Sequence, residues 1–148
     1  MPSRHPEVCV GAVVVHRGEL LLVQRGRGAG QGSWSVPGGR VEWGETLEAA
    51  VRRELHEETG LQALDVAPLG VVERIDETWH FVIHDFVVTV DSTDGACAGD
   101  DAAALAWVPL AEVGTRSGMV PGLVEFLADH GILGGDGRVG GDEISGGQ

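Results

Sequence analysis

The chain has 148 residues, 43% of them hydrophobic, and a formal net charge of −13 at pH 7. This length and composition predict one globular domain with a hydrophobic core, and the charge argues against binding of long nucleic acids. No apolar run approaches the length of a membrane span, and the polar first six residues lack a signal-peptide pattern, so we expect a cytoplasmic protein.

Two strands and a loop are predicted first along the chain. Residues 8–15 are almost continuously apolar, which is typical of a strand buried on both faces. A turn at residues 16–19 leads to a second strand at 20–24. The glycine-rich loop that follows, at residues 26–33, is expected on the substrate side.

Phosphate contacts are expected from arginine, because the chain has no lysine and its ten basic residues are all arginines. A guanidinium matches a phosphate with paired hydrogen bonds. The candidates are Arg25, Arg27 and Arg40. Each could equally be a surface residue that touches no ligand.

A tight turn and a helix come next. The proline and two glycines at residues 37–39 allow main-chain groups to face a ligand. Thr46 is suited to cap the start of a helix, and Gly60 is suited to end it. These signals predict a helix over residues 46–59.

Three carboxylates of this helix share its apolar side. At about 100° per residue, Glu57 and Glu58 fall close to Glu54 on the helical wheel. The opposite side holds Glu48, Arg52, His56 and Thr59. Inward-facing carboxylates repel one another and are costly to desolvate, so a divalent cation such as Mg²⁺ or Mn²⁺ is indicated. Arg53 is placed to pair with Glu57, four residues later. A solvated acidic face and a surface salt bridge are the plainer alternatives.

The segment from residue 39 to residue 61 resembles the Nudix box of the Nudix (MutT-like) hydrolases, G-x5-E-x7-R-E-U-x-E-E-x-G-U with U aliphatic. Every fixed position is matched, by Gly39, Glu45, Arg53, Glu54, Leu55, Glu57, Glu58, Gly60 and Leu61. The resemblance implies an α/β fold, the α/β/α sandwich with a mixed β-sheet between helices. It also implies metal-dependent hydrolysis of a phosphoanhydride bond in a nucleoside diphosphate linked to another group, X.

The resemblance further implies roles for the matching residues. The metal ligands would be Glu54, Glu57, Glu58 and the main-chain carbonyl of Gly39. The expected cofactor is Mg²⁺, or Mn²⁺ in its place. Glu54 is our choice for the base that activates water, although family members differ and some take the base from a later loop. Glu45 and Arg53 would hold the loop and the helix together, and with Glu57 they complete the predicted catalytic set.

Three more strands and one helix are predicted in the C-terminal half. The strands span residues 64–75, 79–90 and 104–110, and the helix spans residues 118–130. The last strand is similar to the tryptophan-containing strand of Nudix domains.

Aromatic side chains are candidates for stacking on a nucleobase. Alternation along the strand at 79–90 places Trp79, Phe81 and Asp85 on one face. Phe81 and Trp34 are the aromatic residues assigned to substrate binding. Each aromatic residue could instead belong to the core.

The segment before the tryptophan of the last strand departs from the family pattern. Members often carry a glutamate and an arginine shortly before the tryptophan, where this chain has Ala104 and Ala106. Asp100 or Asp101 could substitute, but a solvated loop acid is the simpler interpretation.

We divide the chain into a Nudix hydrolase domain at residues 1–133 and a glycine-rich, disordered tail at residues 134–148. Cys9 is expected in the core and Cys97 in a loop, without a disulfide. The expected partner is a small nucleotide, either ADP-ribose-like or a (deoxy)nucleoside triphosphate, and no membrane; the sequence leaves a homodimer open. Two alternatives to an enzyme remain, a non-catalytic nucleotide-sensing module and a purely structural acidic helix.

Overall fold

The computed structural model describes residues 4–28, 30–99 and 102–134. Its elements are β1 (Glu7–Val13), β2 (Val15–His16), β3 (Glu19–Arg25), β4 (Trp34–Ser35), β5 (Gly38–Arg40), α1 (Leu47–Thr59), β6 (Ala63–Ile75), β7 (His80–Val90), β8 (Ala102–Pro109), α2 (Leu110–Val113) and α3 (Leu123–Asp129). None of these helices is long and apolar enough to cross a bilayer. Asp100, Asp101 and residues 135–148 of the predicted tail lie outside the described residues.

The strands form two four-stranded groups, one of mixed direction and one antiparallel. One group has the order β5-β1-β7-β6, in which β1 and β7 run parallel and the other neighbours run antiparallel. In the other group, β3 pairs antiparallel with β2, β4 and β8. The two strands β1 and β7 at the centre of the first group bring together residues that are far apart in the sequence.

Two hydrophobic cores lie on opposite faces of the strands. The α1-side core contains Ala50, Val51 and Leu55 of α1, with Val10, Ala12, Leu21 and Val88 of the strands. The α3-side core contains Leu123, Phe126 and Leu127 of α3, with Val13, Leu20 and Leu22 of the strands. Alternate residues of one strand therefore face different helices, as strand geometry requires. The predicted α/β/α sandwich with mixed strands between helices is confirmed.

The ends of α1 are those that its sequence predicts. The Thr46 side chain accepts a hydrogen bond from the main-chain N–H of Ala49 at 3.1 Å, and Gly60 ends the helix with φ of 77°. Thr59 was wrongly assigned to the solvent side. It is fully buried, and its hydroxyl donates to the carbonyl of Leu55 at 2.6 Å. The buried stripe of the helix is centred nearer to Leu55 than to Glu54, so it includes Thr59.

The C-terminal helix is shorter than predicted. The sequence indicated a helix over residues 118–130, but α3 begins only at Leu123. Pro121 disfavours helical geometry in the residue before it, and Gly122 has φ of 87°, outside the helical region. The short helix α2 directly after β8 was not predicted. The segment between α2 and α3 is therefore a loop.

Candidate active site

Two glycines let β5 approach both β1 and α1 closely. A Cβ atom at Gly38 would collide with the carbonyl of Val10, and one at Gly39 would collide with the carboxylate of Glu54. The main-chain N–H of Gly38 donates to Oε1 of Glu58 at 3.0 Å. The glycine turn predicted from the sequence therefore lies directly against two acidic residues of α1.

Arg53 is the centre of a hydrogen-bonded network. Its guanidinium donates to both carboxylate oxygens of Glu45, at 2.6 and 2.8 Å. It also donates to Oε2 of Glu54 at 3.0 Å and to Oε1 of Glu57 at 3.1 Å. A further bond, of 3.1 Å, reaches the main-chain carbonyl of Arg40. One side chain thus joins the loop before α1, the helix itself and strand β5, and the predicted pairing of Arg53 with Glu57 is present.

The acidic side chains of the site differ in burial and in their bonding to Arg53, and their pKa values shift accordingly. The hydrogen bonds from Arg53 lower the pKa of Glu45 to about 2, and the same bonds raise the pKa of Arg53. Burial raises the pKa of Glu54, and the hydrogen bond from Arg53 opposes that rise. Glu54 is only 14% exposed, whereas Glu57 is 57% exposed and lies at the rim. The pKa of Glu54 is therefore raised and that of Glu45 lowered, although Arg53 bonds to both carboxylates.

The three proposed metal-binding carboxylates are near one another but do not form a ready cluster. Among the described residues, no three Asp, Glu, His or Cys side chains lie close enough together to hold a metal ion. Arg53 draws Glu54 and Glu57 towards itself, and Gly38 holds Glu58. The residue types nevertheless fit Mg²⁺ or Mn²⁺, because all the donors are oxygens and the glycine turn keeps side chains away from Glu54. Arg53 engages one oxygen of Glu54 and one of Glu57, and each carboxylate has two.

A small pocket adjoins these acidic residues. Its lining includes Arg25, Val36, Gly38, Glu58 and Ala102. Arg25 is therefore the predicted phosphate-binding arginine that lies beside the box. Arg27 is exposed in the loop after β3, away from this lining.

Arg40 and two aromatic side chains form a separate group on the outer part of the strands. The Arg40 side chain pairs with Glu7. Its guanidinium lies 5.5 Å from the ring centre of Trp79 and 5.7 Å from that of Phe81. The two rings are stacked, with centroids 5.3 Å apart. The predicted contact residues Arg40 and Phe81 therefore come together.

Trp34 has a mainly structural environment. It packs against the α3-side core, and the guanidinium of Arg116 lies 4.6 Å from its ring centre. Its main-chain N–H donates to the carbonyl of Gly118 at 2.8 Å, and its carbonyl accepts from Val120 at 2.9 Å. Trp34 thus ties the loop before α3 to the strand that leads into the glycine turn.

Asp85 is a buried acid that the sequence pattern placed on the correct face of its strand but did not link to a function. Asp85 is only 6% exposed, and burial raises its pKa to about 6. The signal available in the sequence was a charged residue among apolar ones on the strand at 79–90. The neighbours that give it this environment come from other strands and could not be read from the sequence.

Known proteins are similar to this chain in sequence. The model of the NUDIX domain family matches residues 5–130. An ADP-ribose pyrophosphatase of Methanocaldococcus jannaschii is 38% identical over 99 residues, 66% of this chain and 59% of that protein. An oxidized purine nucleoside triphosphate hydrolase of Danio rerio is 37% identical over 103 residues, 68% of this chain and 65% of that protein.

The fold likewise has a solved counterpart. The crystal structure of a MutT NUDIX hydrolase from Burkholderia pseudomallei superposes with a TM-score of 0.76 and 29% identity, covering 84% of this chain and 97% of that one. The chain spans less than two thirds of the length of the two curated relatives described above.

Proposed function

The chain belongs to the Nudix family, whose domain model covers residues 5–130, and we propose that it is a metal-dependent hydrolase. Its reaction would be cleavage of a phosphoanhydride bond in a nucleoside diphosphate-X, either an ADP-ribose-like compound or a (deoxy)nucleoside triphosphate. The observation that carries this proposal is the Arg53 network, which fixes a complete box against the glycine turn. The named activities of the two curated relatives, on ADP-ribose and on oxidized purine nucleotides, support a small nucleotide substrate.

The acidic residues of α1 take distinct roles in this proposal. Glu54, Glu57, Glu58 and the carbonyl of Gly39 would hold Mg²⁺ or Mn²⁺. The bound ion would neutralise phosphate charge and make a water molecule more acidic. Glu54 would accept the proton of that water, since burial raises its pKa while Arg53 keeps it oriented. Arg53 would act through the carboxylates that it positions.

The substrate would extend from the box across the neighbouring strands. Arg25, which shares the pocket with Glu58, is proposed to contact phosphate. Phe81 and Arg40 offer an aromatic and cationic surface to a planar group. Arg27, in the exposed loop, would contact the substrate only at its outer end. Trp34 is proposed to support the turn, because its ring packs against the α3-side core.

Product analysis tests this function. The protein is incubated with ADP-ribose, the common nucleoside triphosphates and 8-oxo-dGTP, in Mg²⁺ or in excess EDTA, and the products are separated by chromatography. We expect a nucleoside monophosphate from at least one substrate in Mg²⁺, and none in EDTA. Saturable nucleotide binding without any product would contradict the proposal and favour the sensing alternative.

A further inference from the structure

Asp85 is a buried carboxylate to which no described residue donates a hydrogen bond. Its neighbours in β7, Phe86 and Val88, belong to the α1-side core, so its side chain lies on the α3 side of the strands. It is 6% exposed. Over residues 4–28, 30–99 and 102–134, no donor bonds to its carboxylate, and Arg74 and His130 act on it only as nearby charges. A buried charge without a partner is costly, so its presence calls for a physical reason.

Of the two glycines that flank Asp85 in the sheet, one makes room for its carboxylate and the other makes room for His130. Gly11 of β1 and Gly70 of β6 lie opposite Asp85 on either side. A Cβ atom at Gly11 would collide with Oδ1 of Asp85, and one at Gly70 would lie 2.6 Å from Nε2 of His130. Two glycines and one acid thus form a row in which only the acid has a side chain.

The carboxylate oxygens of Asp85 also keep their capacity to accept hydrogen bonds. In the described part of the chain, the fully enclosed side-chain nitrogen and oxygen atoms without partners belong to His80 and Arg116. The Asp85 oxygens have no partner either, yet they are not enclosed in this way. An ionised carboxylate can accept from two adjacent donors, one at each oxygen.

This row leads directly to the proposed active site. Gly11 pairs with Asp85 on one side and with Gly38 on the other. Two strand spacings separate the backbones of Gly38 and Asp85, which is about 10 Å. Val36 lines the pocket beside Glu58, and its Cγ2 atom would lie 3.3 Å from a Cβ at Gly11. The row therefore connects Asp85, through Gly11 and Val36, with the glycine turn and the pocket beside Glu58.

We propose that Asp85 selects the nucleobase of the substrate, accepting hydrogen bonds from a guanine-type edge in preference to an adenine-type edge. This inference rests on the proposed hydrolase function. A guanine edge, which 8-oxoguanine shares, presents two adjacent N–H donors to the two carboxylate oxygens. An adenine edge presents one donor beside one acceptor, and a carboxylate has no proton to give. A base that leaves the buried carboxylate partly unpaired is rejected for that reason.

Asp85→Asn is the decisive variant, because an amide offers one acceptor and one donor in nearly the same shape. The measurement is kcat/KM for matched guanine and adenine nucleotides, with Asp65→Asn in the exposed part of β6 as the control. We expect the wild type to prefer guanine by about tenfold or more, and Asp85→Asn to lower that ratio by about tenfold or more. The ratio should not change in Asp65→Asn.

The outcomes separate this inference from the proposed function. Absence of hydrolysis of every nucleotide refutes the hydrolase; calorimetric titration of wild type and Asp85→Asn with GMP and AMP then still measures base selection. Equal losses for both bases in Asp85→Asn would make Asp85 a purely structural residue and overturn the inference. If Asp85→Asn does not fold, calorimetric titration of the wild type alone tests the inference. Binding of AMP that is as tight as, or tighter than, binding of GMP would overturn it.

Discussion

The acidic residues that Arg53 binds and the acid Asp85 have opposite surroundings. Glu45, Glu54 and Glu57 share the guanidinium of Arg53. Asp85 has no hydrogen-bonding partner among the described residues, and glycines lie on both sides of it. Shared pairing fixes the position of a charge, whereas an unpaired buried charge lowers stability and leaves its acceptors available. The carboxylates bound by Arg53 are held in fixed positions, whereas Asp85 is proposed to bind a ligand.

The largest effect among the supporting contacts is expected at Arg53. Arg53→Lys removes the planar fork that bonds to both oxygens of Glu45 while also reaching Glu54. We expect kcat/KM to fall by about 10- to 100-fold, as for other groups that orient reactive residues. Steady-state kinetics measure this, and Arg52→Lys, which alters the neighbouring residue that pairs with exposed Glu48, is the matched control. Equal activity in the two variants would show that the network is not needed.

A smaller effect is expected at Asp85, where a substitution should increase the stability of the fold. Its pKa in the folded protein, about 6, lies above the ordinary value of 3.8, so the ionised carboxylate destabilises the fold above pH 6. Asp85→Asn should raise the free energy of unfolding at pH 8 by roughly 1 to 3 kcal/mol. The gain should shrink as pH falls from 6 to 4. Urea unfolding at several pH values measures it, and a loss of stability at pH 8 would show that the charge is well paired.

The smallest effect concerns the pH dependence contributed by Glu45. Arg53 lowers its pKa to about 2 from 4.5, so its stabilising effect is complete above pH 4.5 and is lost as pH falls through 2. Glu45→Gln should therefore unfold at a lower temperature than the wild type at pH 6. That difference should close between pH 4.5 and 2. Glu48→Gln, at an exposed position in the first turn of α1, serves as the control, and a difference that is independent of pH would contradict the assignment.

Local rules predicted much of the box and little of the Asp85 row. Thr46 and Gly60 act within one helix, and Arg53 reaches Glu57 one turn away, so their contacts follow from spacing. Gly11 and Asp85, by contrast, are 74 positions apart and meet only because β1 and β7 pair in one register. Alternation gave the correct face of Asp85, but the neighbours on that face come from other strands.

The predicted start of helix α3 was wrong for a different reason. The apolar spacing around Val120 suggested a helix that began too early, and the stronger signal was Pro121 followed by Gly122. The residues before that pair bond instead to Trp34. Such a pairing requires the strand β4 to be in place, so periodicity alone could not reveal it.

Turnover by Glu58→Gln is the most direct measurement of the role proposed for the α1 carboxylates. The glutamine amide oxygen can still accept the hydrogen bond from Gly38, so the substitution removes charge while keeping the contact. With the nucleotide that the wild type hydrolyses in Mg²⁺, we expect kcat to fall by at least about 100-fold, and Glu48→Gln to remain unchanged. Wild-type turnover by a correctly folded Glu58→Gln would contradict the proposed role of Glu58 at the metal.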